Sequence, residues 1–245
     1  MNDHLVLVLG KPATGKSASL MNLENPQGVI YLNCEAGKKL PFRSKFKEIT
    51  VTDPLQVPAT IEKFTGHEKV TGIVVDSLSF LLQMYENQYV VNSANTQKAW
   101  GDYAQFFIGM MQQSVANCDK PIIFTSHVQD KNNETEMTVE TKAMAKGSIA
   151  KLGIEAYFSC VVSTKKVSIK ALKAFKEKYG CNDELLTITP EDEMLGYKHC
   201  FQTRLTAETI SETIRSPMGM WKVSETYIDA DMQKLFNRLK DFYGE

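Results

Sequence analysis

Several features are scarce or missing in this chain of 245 residues. It has no stretch near the roughly 18 apolar residues that a membrane-spanning helix needs. Its first residues, MNDHLVLVLGK, lack a basic start and a small-residue cleavage site. The apolar run there ends in a glycine loop, so we interpret it as a buried strand rather than a signal peptide. The sequence therefore predicts a cytoplasmic protein with no membrane partner.

An excess of charge of one sign is also missing. Lys and Arg number 28 and Asp and Glu number 29, for a formal net charge of −1. Contact with nucleic acid must then come from a local patch rather than from the whole surface. The five cysteines are odd in number, far apart and without a C-x-x-C pair, which favours reduced thiols over a disulfide framework or a zinc site.

The hydrophobic content of 43% is that of an ordinary globular protein. Short apolar runs that are typical of strands buried on both faces alternate with amphipathic helical patterns. The runs are Leu5–Leu9, Val29–Leu32, Ile73–Val75, Pro121–Phe124 and Tyr157–Val162, and the helical patterns among them are Lys16–Leu23, Pro54–Phe64 and Thr96–Ala116. This alternation predicts an α/β fold, a mostly parallel sheet with helices on both faces.

The second half of the chain departs from this rhythm. The segment 129–146 is polar without apolar periodicity and is interpreted as a long functional loop, with Ser148 capping a helix that runs to about Ala156. Amphipathic helices are predicted over Lys165–Tyr179 and Asp229–Tyr243. We expect a core over residues 1–164 and a C-terminal extension over 165–245 that packs on the core and is not an independent domain.

One motif carries specific chemistry. Gly10-Lys-Pro-Ala-Thr-Gly-Lys16-Ser17 matches G-x-x-x-x-G-K-[ST] at every fixed position, between an apolar run and a helical pattern. In such a loop the backbone N–H groups surround phosphates, the lysine reaches the β and γ oxygens, and the serine hydroxyl binds Mg²⁺. The loop predicted to bind the nucleotide consists of Gly10, Lys11, Pro12, Ala13, Thr14, Gly15, Lys16, Ser17 and Ala18.

A second acidic position follows an apolar strand. Thr71-Gly-Ile-Val-Val-Asp76-Ser77 would bring one carboxylate to the carboxyl end of its strand, where open α/β sheets bind ligands. We predict that Asp76 belongs to the Mg²⁺ site together with Ser17. The alternative for Asp76 is a helix N-cap.

The order of these motifs resembles the RecA-like ATPase core. Asp76 is followed by Ser77 instead of a second acid, Glu35 follows the second strand, and Ile122-Ile-Phe-Thr-Ser-His127 matches the strand that ends in a polar γ-phosphate sensor. The resemblance implies ATP and Mg²⁺ as cofactors, Glu35 as general base, Lys16 as a catalytic cation and His127 as sensor. The alternatives are a surface acid for Glu35 and a core histidine for His127.

The small size of the chain resembles, more narrowly, the short RecA-like ATPases of bacteriophages, some of which are linked to single-strand annealing and recombination. This resemblance implies single-stranded DNA as partner, a homo-oligomeric ring or filament, a single-strand-binding protein, and the cytoplasm of a bacterial host. Lys131, Lys142 and Lys146 in the polar segment are the predicted DNA contacts. The lysines of 165–178 are either a second phosphate-binding surface or a solvated helix face.

Arg204 follows a predicted strand over His199–Leu205 and is the candidate for a cation that acts in the neighbouring subunit's site. Lys198 is the second candidate for this role, and the alternative for each residue is a surface cation. Two other functions stay open at this point: a P-loop kinase of small molecules, and a nucleotide-gated assembly protein with little hydrolysis.

Overall fold

The computed structural model describes residues 2–133 and 137–244, in which one nine-stranded sheet runs through the molecule. Its order is β3-β2-β4-β5-β1-β7-β8-β9, and β6 pairs with an outer part of β5. The strands are β1 Leu5–Gly10, β2 Val29–Asn33, β3 Lys47–Thr50, β4 Gly72–Asp76, β5 Ile122–Asn133, β6 Thr138–Ala143, β7 Cys160–Ser168, β8 Tyr197–Gln202 and β9 Tyr227–Asp229.

The first part of the sheet is parallel. All pairings among β1, β2, β3, β4, β5 and β7 are parallel, whereas β8 pairs antiparallel with β7 and with β9. The six residues of β1 are all buried, because the strand lies between β5 and β7 and is covered on both faces. The predicted α/β class and mostly parallel sheet are confirmed.

Helices cover both faces. Leu5, Leu7 and Leu9 pack in one apolar cluster with residues of α1, α2 and α3, and Val6 and Val8 pack in another with residues of α7. The alternation follows from the period of two along a strand. The helices are α1 Gln56–Phe64, α2 Leu78–Tyr85, α3 Thr96–Gly109, α4 Ile149–Leu152, α5 Ile169–Tyr179, α6 Pro190–Leu195 and α7 Met232–Tyr243.

The predicted helix over Lys16–Leu23 is wrong: one 3₁₀ turn, Ala18–Leu20, takes its place. The polar side chains of this segment bond elsewhere. Ser19 Oγ donates to the carbonyl of Lys16 at 2.6 Å, and Asn22 Nδ2 donates to Asp231 Oδ2 at 2.7 Å. The Ser19 hydroxyl thus bonds a local carbonyl, and Asn22 is held by the N-cap residue of α7 instead of continuing a helix.

The predicted loop over 129–146 is also wrong, because most of it forms an antiparallel hairpin. β5 continues past the other parallel strands as far as Asn133 and pairs with β6 from Val128–Ala143 to Asn133–Thr138. The β-branched run Thr138-Val-Glu-Thr141 favours a strand, and the pairing uses backbone groups rather than an apolar face. We call residues 128–133 and 138–143 the β5–β6 hairpin.

The C-terminal part extends the same sheet. The predicted boundary at residue 164 lies inside β7, which runs on to Ser168, so the helix predicted from Lys165 begins only at Ile169. Ser168 Oγ caps it by accepting the N–H of Ala171 at 3.2 Å. Within the described part of the chain, every helix is too short or too polar to cross a membrane.

Candidate functional site

The loop between β1 and the first 3₁₀ turn has the backbone that its glycines allow. Gly15 has a φ of +103°, which side-chain-bearing residues rarely adopt. A Cβ atom on Gly10 would collide with Thr164 Oγ1, so only glycine permits β7 to approach here. The two glycines of the motif are therefore required by backbone angle in one case and by space in the other.

Lys16 is folded back over this loop. Its Nζ donates to the carbonyl oxygens of Gly10 at 2.9 Å and Lys11 at 3.0 Å. Burial lowers the pKa of Lys16 to about 8, although the negative charges of Asp76 and Glu35 oppose the shift. The ammonium thus lies at the centre of the loop, next to backbone carbonyls that an anionic ligand can replace.

The two predicted metal ligands meet. Ser17 Oγ donates to Asp76 Oδ2 at 2.8 Å. The same carboxylate oxygen accepts the hydroxyl of Tyr31 at 2.8 Å, and Asp76 Oδ1 accepts Thr125 Oγ1 at 2.5 Å. Three neutral donors from β2, β5 and the phosphate loop hold the buried carboxylate in one orientation, directly beside Ser17.

Glu35 and His127 also come together. His127 Nε2 lies 3.7 Å from Glu35 Oε1, and Lys38 Nζ lies 2.9 Å from Glu35 Oε2. The nearby ring of His127, helped by Lys38, lowers the pKa of Glu35 to about 2, against the opposing effect of burial, and Ser77 Oγ donates to Glu35 Oε1 at 3.3 Å. The glutamate is therefore ionised at neutral pH, and both of its oxygens have cationic or hydrogen-bonding neighbours.

These groups surround one open cleft of about 320 Å³ at the carboxyl edge of the sheet. It is lined by the phosphate loop, the end of β2, the segment after it, and β5 and β8. The lining residues are Pro12, Ala13, Gly15, Lys16, Ser17, Ala18, Tyr31, Glu35, Lys38, Lys39, Leu40, Pro41, Asp76, His127 and His199.

Comparison with known proteins gives a family. A model described as AAA domain matches residues 3–190, which is more than half of the chain. The chain belongs to the AAA domain family. Among solved structures, the flagellar accessory protein FlaH from Methanocaldococcus jannaschii is similar, with a TM-score of 0.38 and 14% identity over 69% of this chain and 74% of that one. No curated protein matches the sequence.

The cleft of this AAA domain fits Mg²⁺ held in part by a nucleotide. In residues 2–133 and 137–244 no cluster of three or more His, Cys, Asp or Glu side chains offers a complete metal cage. Mg²⁺ takes one or two protein oxygens and completes its shell with water and phosphate oxygens. Ser17 and Asp76 supply such a pair, because their oxygens lie next to each other beside the phosphate loop.

The other predicted residues of the AAA domain lie outside the cleft. Arg204, just after β8, lines a different cavity and donates its Nη1 to the carbonyl of Trp221 at 2.7 Å. Lys131 lies in the β5–β6 hairpin opposite Glu140, and Lys142 forms an ion pair with Glu140. The role predicted for Arg204 is in a neighbouring subunit's site, and the role predicted for the two lysines is contact with DNA.

Sequence reasoning missed four polar residues of the cleft, Tyr31, Lys38, Lys39 and His199, and also Thr125, which holds Asp76. Tyr31 and Thr125 are polar groups that directly follow apolar residues in β2 and β5. Such a group must find a buried partner, so a carboxylate at the end of a neighbouring strand is the natural one. Lys38 has a signal too, since it lies three residues after Glu35.

The hydroxyl of Tyr31 gives a testable prediction. Tyr31→Phe removes one of three donors to Asp76, and groups that orient metal ligands typically account for 10- to 100-fold in metal affinity. We expect nucleotide binding to need about 10-fold more Mg²⁺ in this variant. Titrating Mg²⁺ at fixed nucleotide measures the effect, and nucleotide binding in EDTA is the control. An equal loss of affinity with and without Mg²⁺ would contradict the role.

Proposed function

We propose that this AAA domain is a Mg²⁺-dependent ATPase of the RecA-like type that acts on single-stranded DNA. The observation that carries the proposal is the position of Glu35 and His127. They lie side by side at one cleft with Lys16, Ser17 and Asp76, and His127 belongs to the strand that continues into the β5–β6 hairpin. The residue proposed to sense the nucleotide and the first half of the β5–β6 hairpin thus belong to one strand, β5.

The hydrolytic step assigns one role to each residue. Lys16 and the loop N–H groups bind the β and γ phosphates, while Ser17 and Asp76 hold Mg²⁺, which neutralises phosphate charge. Glu35 accepts a proton from the attacking water. His127 reports the γ-phosphate, because it lies at the level of Gly10 in the pairing of β1 with β5 and contacts Glu35.

The β5–β6 hairpin supports a polymer partner through its position rather than through free charge. Lys142 is paired with Glu140, and Lys146, just beyond β6, donates to both oxygens of Glu86 at 2.8 Å. The lysine side chains of these pairs are 31% and 60% exposed, so DNA phosphates can reach the lysines and compete with the glutamates. Lys11 of the phosphate loop also lies 3.8 Å from Asp130 of the hairpin.

A role in recombination, annealing or replication of the bacteriophage type is part of this proposal. So is a ring or filament in which Arg204 acts on a neighbouring subunit's nucleotide. Both rest on the resemblance to the RecA-like ATPases, in motif order to the RecA-like core and in small size to the short members from bacteriophages. The protein partner that we propose for this role is a single-strand-binding protein.

The DNA proposal is tested by the double change Lys142→Ala and Lys146→Ala. Each lost phosphate contact on a single strand flattens the dependence of log K on log salt by about 0.7, so we expect a loss of roughly 1.4 in slope and weaker binding. Wild-type ATPase activity should rise with single-stranded DNA, and the double variant should keep the basal rate but lose much of the rise.

The matched control is Lys173→Ala with Lys176→Ala on α5. These lysines are also ion-paired, with Glu193 at 2.7 Å and Asp183 at 2.6 Å, so the same charge is removed from the same kind of contact. A flattened salt slope in the α5 variant and an unchanged slope in the hairpin variant would move the DNA site to α5. An ATPase rate that single-stranded DNA leaves unchanged would contradict the proposed partner.

A second candidate, a nucleotide-gated assembly protein with little hydrolysis, also has an observation in its favour. Ser77 and Lys38 donate to the two oxygens of Glu35, at 3.3 Å and 2.9 Å. The nearby His127, together with Lys38, lowers the pKa of Glu35 to about 2, which makes it a weak base. Turnover then requires that these contacts open. Tight ATP binding with no measurable turnover, with or without DNA, would favour this candidate.

A further inference from the structure

His199 is a cleft residue to which neither the motifs nor the family match assigns a role. It lies in β8, opposite Lys166 of β7. β7 pairs with β1 only as far as Ser163, which lies opposite Leu9. Beyond that point β7 extends past the end of β1 and pairs with β8. This extension brings β8 alongside the phosphate loop.

Thr14 of that loop is held at two points by the extension. His199 Nδ1 lies 2.8 Å from the carbonyl oxygen of Thr14, and Thr164 Oγ1 lies 2.6 Å from Thr14 Oγ1. Because a carbonyl oxygen only accepts, Nδ1 must carry the proton in this contact. A Cβ atom on Gly15 would lie 3.2 Å from the same nitrogen, so the ring packs closely on the loop backbone.

The contact fixes the direction of a peptide group. In a trans peptide the C=O and the N–H point in opposite directions, so a donor that holds the Thr14 carbonyl turns the Gly15 N–H away from His199. Gly15 has a φ of +103° and no side chain, and the other bonds of this pair are made by the Thr14 hydroxyl and the Gly15 carbonyl, so His199 is the group that holds the peptide between them. Rotation would turn a carbonyl oxygen, with its partial negative charge, toward the phosphates.

We propose that His199 is a positioning residue for nucleotide binding: its Nδ1–H holds the Thr14–Gly15 peptide so that the Gly15 N–H is available to a phosphate oxygen. The inference rests on the proposed binding of a nucleotide in this cleft. Because His199 acts through the loop backbone, we expect it to stabilise the bound nucleotide equally in the ground state and in the transition state. Its loss should raise KM and leave kcat nearly unchanged.

The test compares two substitutions of similar size. In His199→Asn the amide nitrogen is bonded to Cγ, as Nδ1 is, and keeps a donor in place, whereas His199→Leu has none. One hydrogen bond is worth about 2- to 12-fold in affinity. For Mg·ADP binding measured by calorimetry, we expect the leucine variant to be weaker by about this factor and the asparagine variant to stay within about 2-fold of wild type.

Thermal unfolding without nucleotide separates positioning from a merely structural role. A structural role would lower the unfolding temperature of both variants and leave the affinity of the folded protein unchanged, which would overturn the proposal. Equal weakening in the asparagine and leucine variants would overturn it as well. If His199→Leu does not fold, His199→Gln, whose donor lies one carbon farther out, replaces it with the same expectation.

Failure of the underlying site has a different signature. A wild-type protein that binds neither Mg·ADP nor Mg·ATP would overturn the nucleotide site, and this inference with it. Wild-type binding with an undiminished His199→Leu variant would overturn only the role of His199.

Discussion

Lys16→Ala is expected to abolish binding of ATP at ordinary nucleotide concentrations. The ammonium lies inside the phosphate loop, 2.9 Å from the Gly10 carbonyl, and would pair with the phosphates of the bound nucleotide. Truncating one partner of a desolvated charge pair costs about 2–5 kcal/mol, or roughly 30- to 5000-fold in affinity. Calorimetric titration with Mg·ATP measures this loss.

Lys170→Ala is the matched control for this change. Lys170 is an exposed lysine on α5, outside the cleft, so the same atoms are removed and the affinity should not change. The Lys16→Ala protein must also unfold cooperatively near the wild-type temperature, to show that the loop and not the whole fold was lost. Near-normal affinity in a folded Lys16→Ala protein would refute the phosphate site.

The parts of this site that the sequence predicts have local causes. The spacing of Gly10, Gly15, Lys16 and Ser17 specifies a loop whose chemistry depends on neighbouring residues. Asp76 was predictable because an apolar strand that ends in a single acid must deliver it to the edge of the sheet. The contact of Ser17 with Asp76 then follows from a parallel sheet, although the two residues are 59 positions apart.

The β5–β6 hairpin was missed because only its base, Val128 and Ala143, packs on the apolar core among the hairpin residues described. Backbone pairing with β6 and a bond from the Thr141 N–H to the carbonyl of Ser211 at 3.0 Å hold it. The first strand of the hairpin begins at Val128, directly after the predicted part of β5. Sequence periodicity reports burial, so a polar hairpin leaves the β-branched residues Thr138, Val139 and Thr141 as its signal.

His199 shows a different limit. It contacts Thr14, which is 185 positions away in the sequence. The contact depends on the pairing of β7 with β8, which no local sequence pattern predicts. The ion pairs of Lys142 and Lys146 are likewise invisible in the sequence, where both residues look like free cations. Long-range contacts of polar side chains depend on the register of strands, and register is set by the whole fold.

Glu35→Gln is expected to keep ATP bound while slowing hydrolysis by about 10²- to 10⁴-fold, the usual contribution of a general base. The amide keeps the shape of the side chain and one oxygen, but it cannot accept the proton of the attacking water. The pKa of Glu35 is held at about 2, so the group is ionised throughout the range from pH 5 to pH 9, and the loss should be the same across that range.

Glu48→Gln is the matched control for this last prediction, and stability is the second readout. Glu48 lies on the neighbouring strand β3, 3.5 Å from Lys39, and the Glu48→Gln protein should turn over ATP normally.

A folded-state pKa of about 2, below the ordinary 4.5, means that Glu35 adds stability above about pH 4.5 and that this stability is lost as the pH falls toward 2. Glu35→Gln should therefore unfold at a slightly lower temperature at pH 7 and lose this deficit in acid. Normal turnover by Glu35→Gln would show that the water is activated by another group, and His127, 3.7 Å away, would be the next candidate.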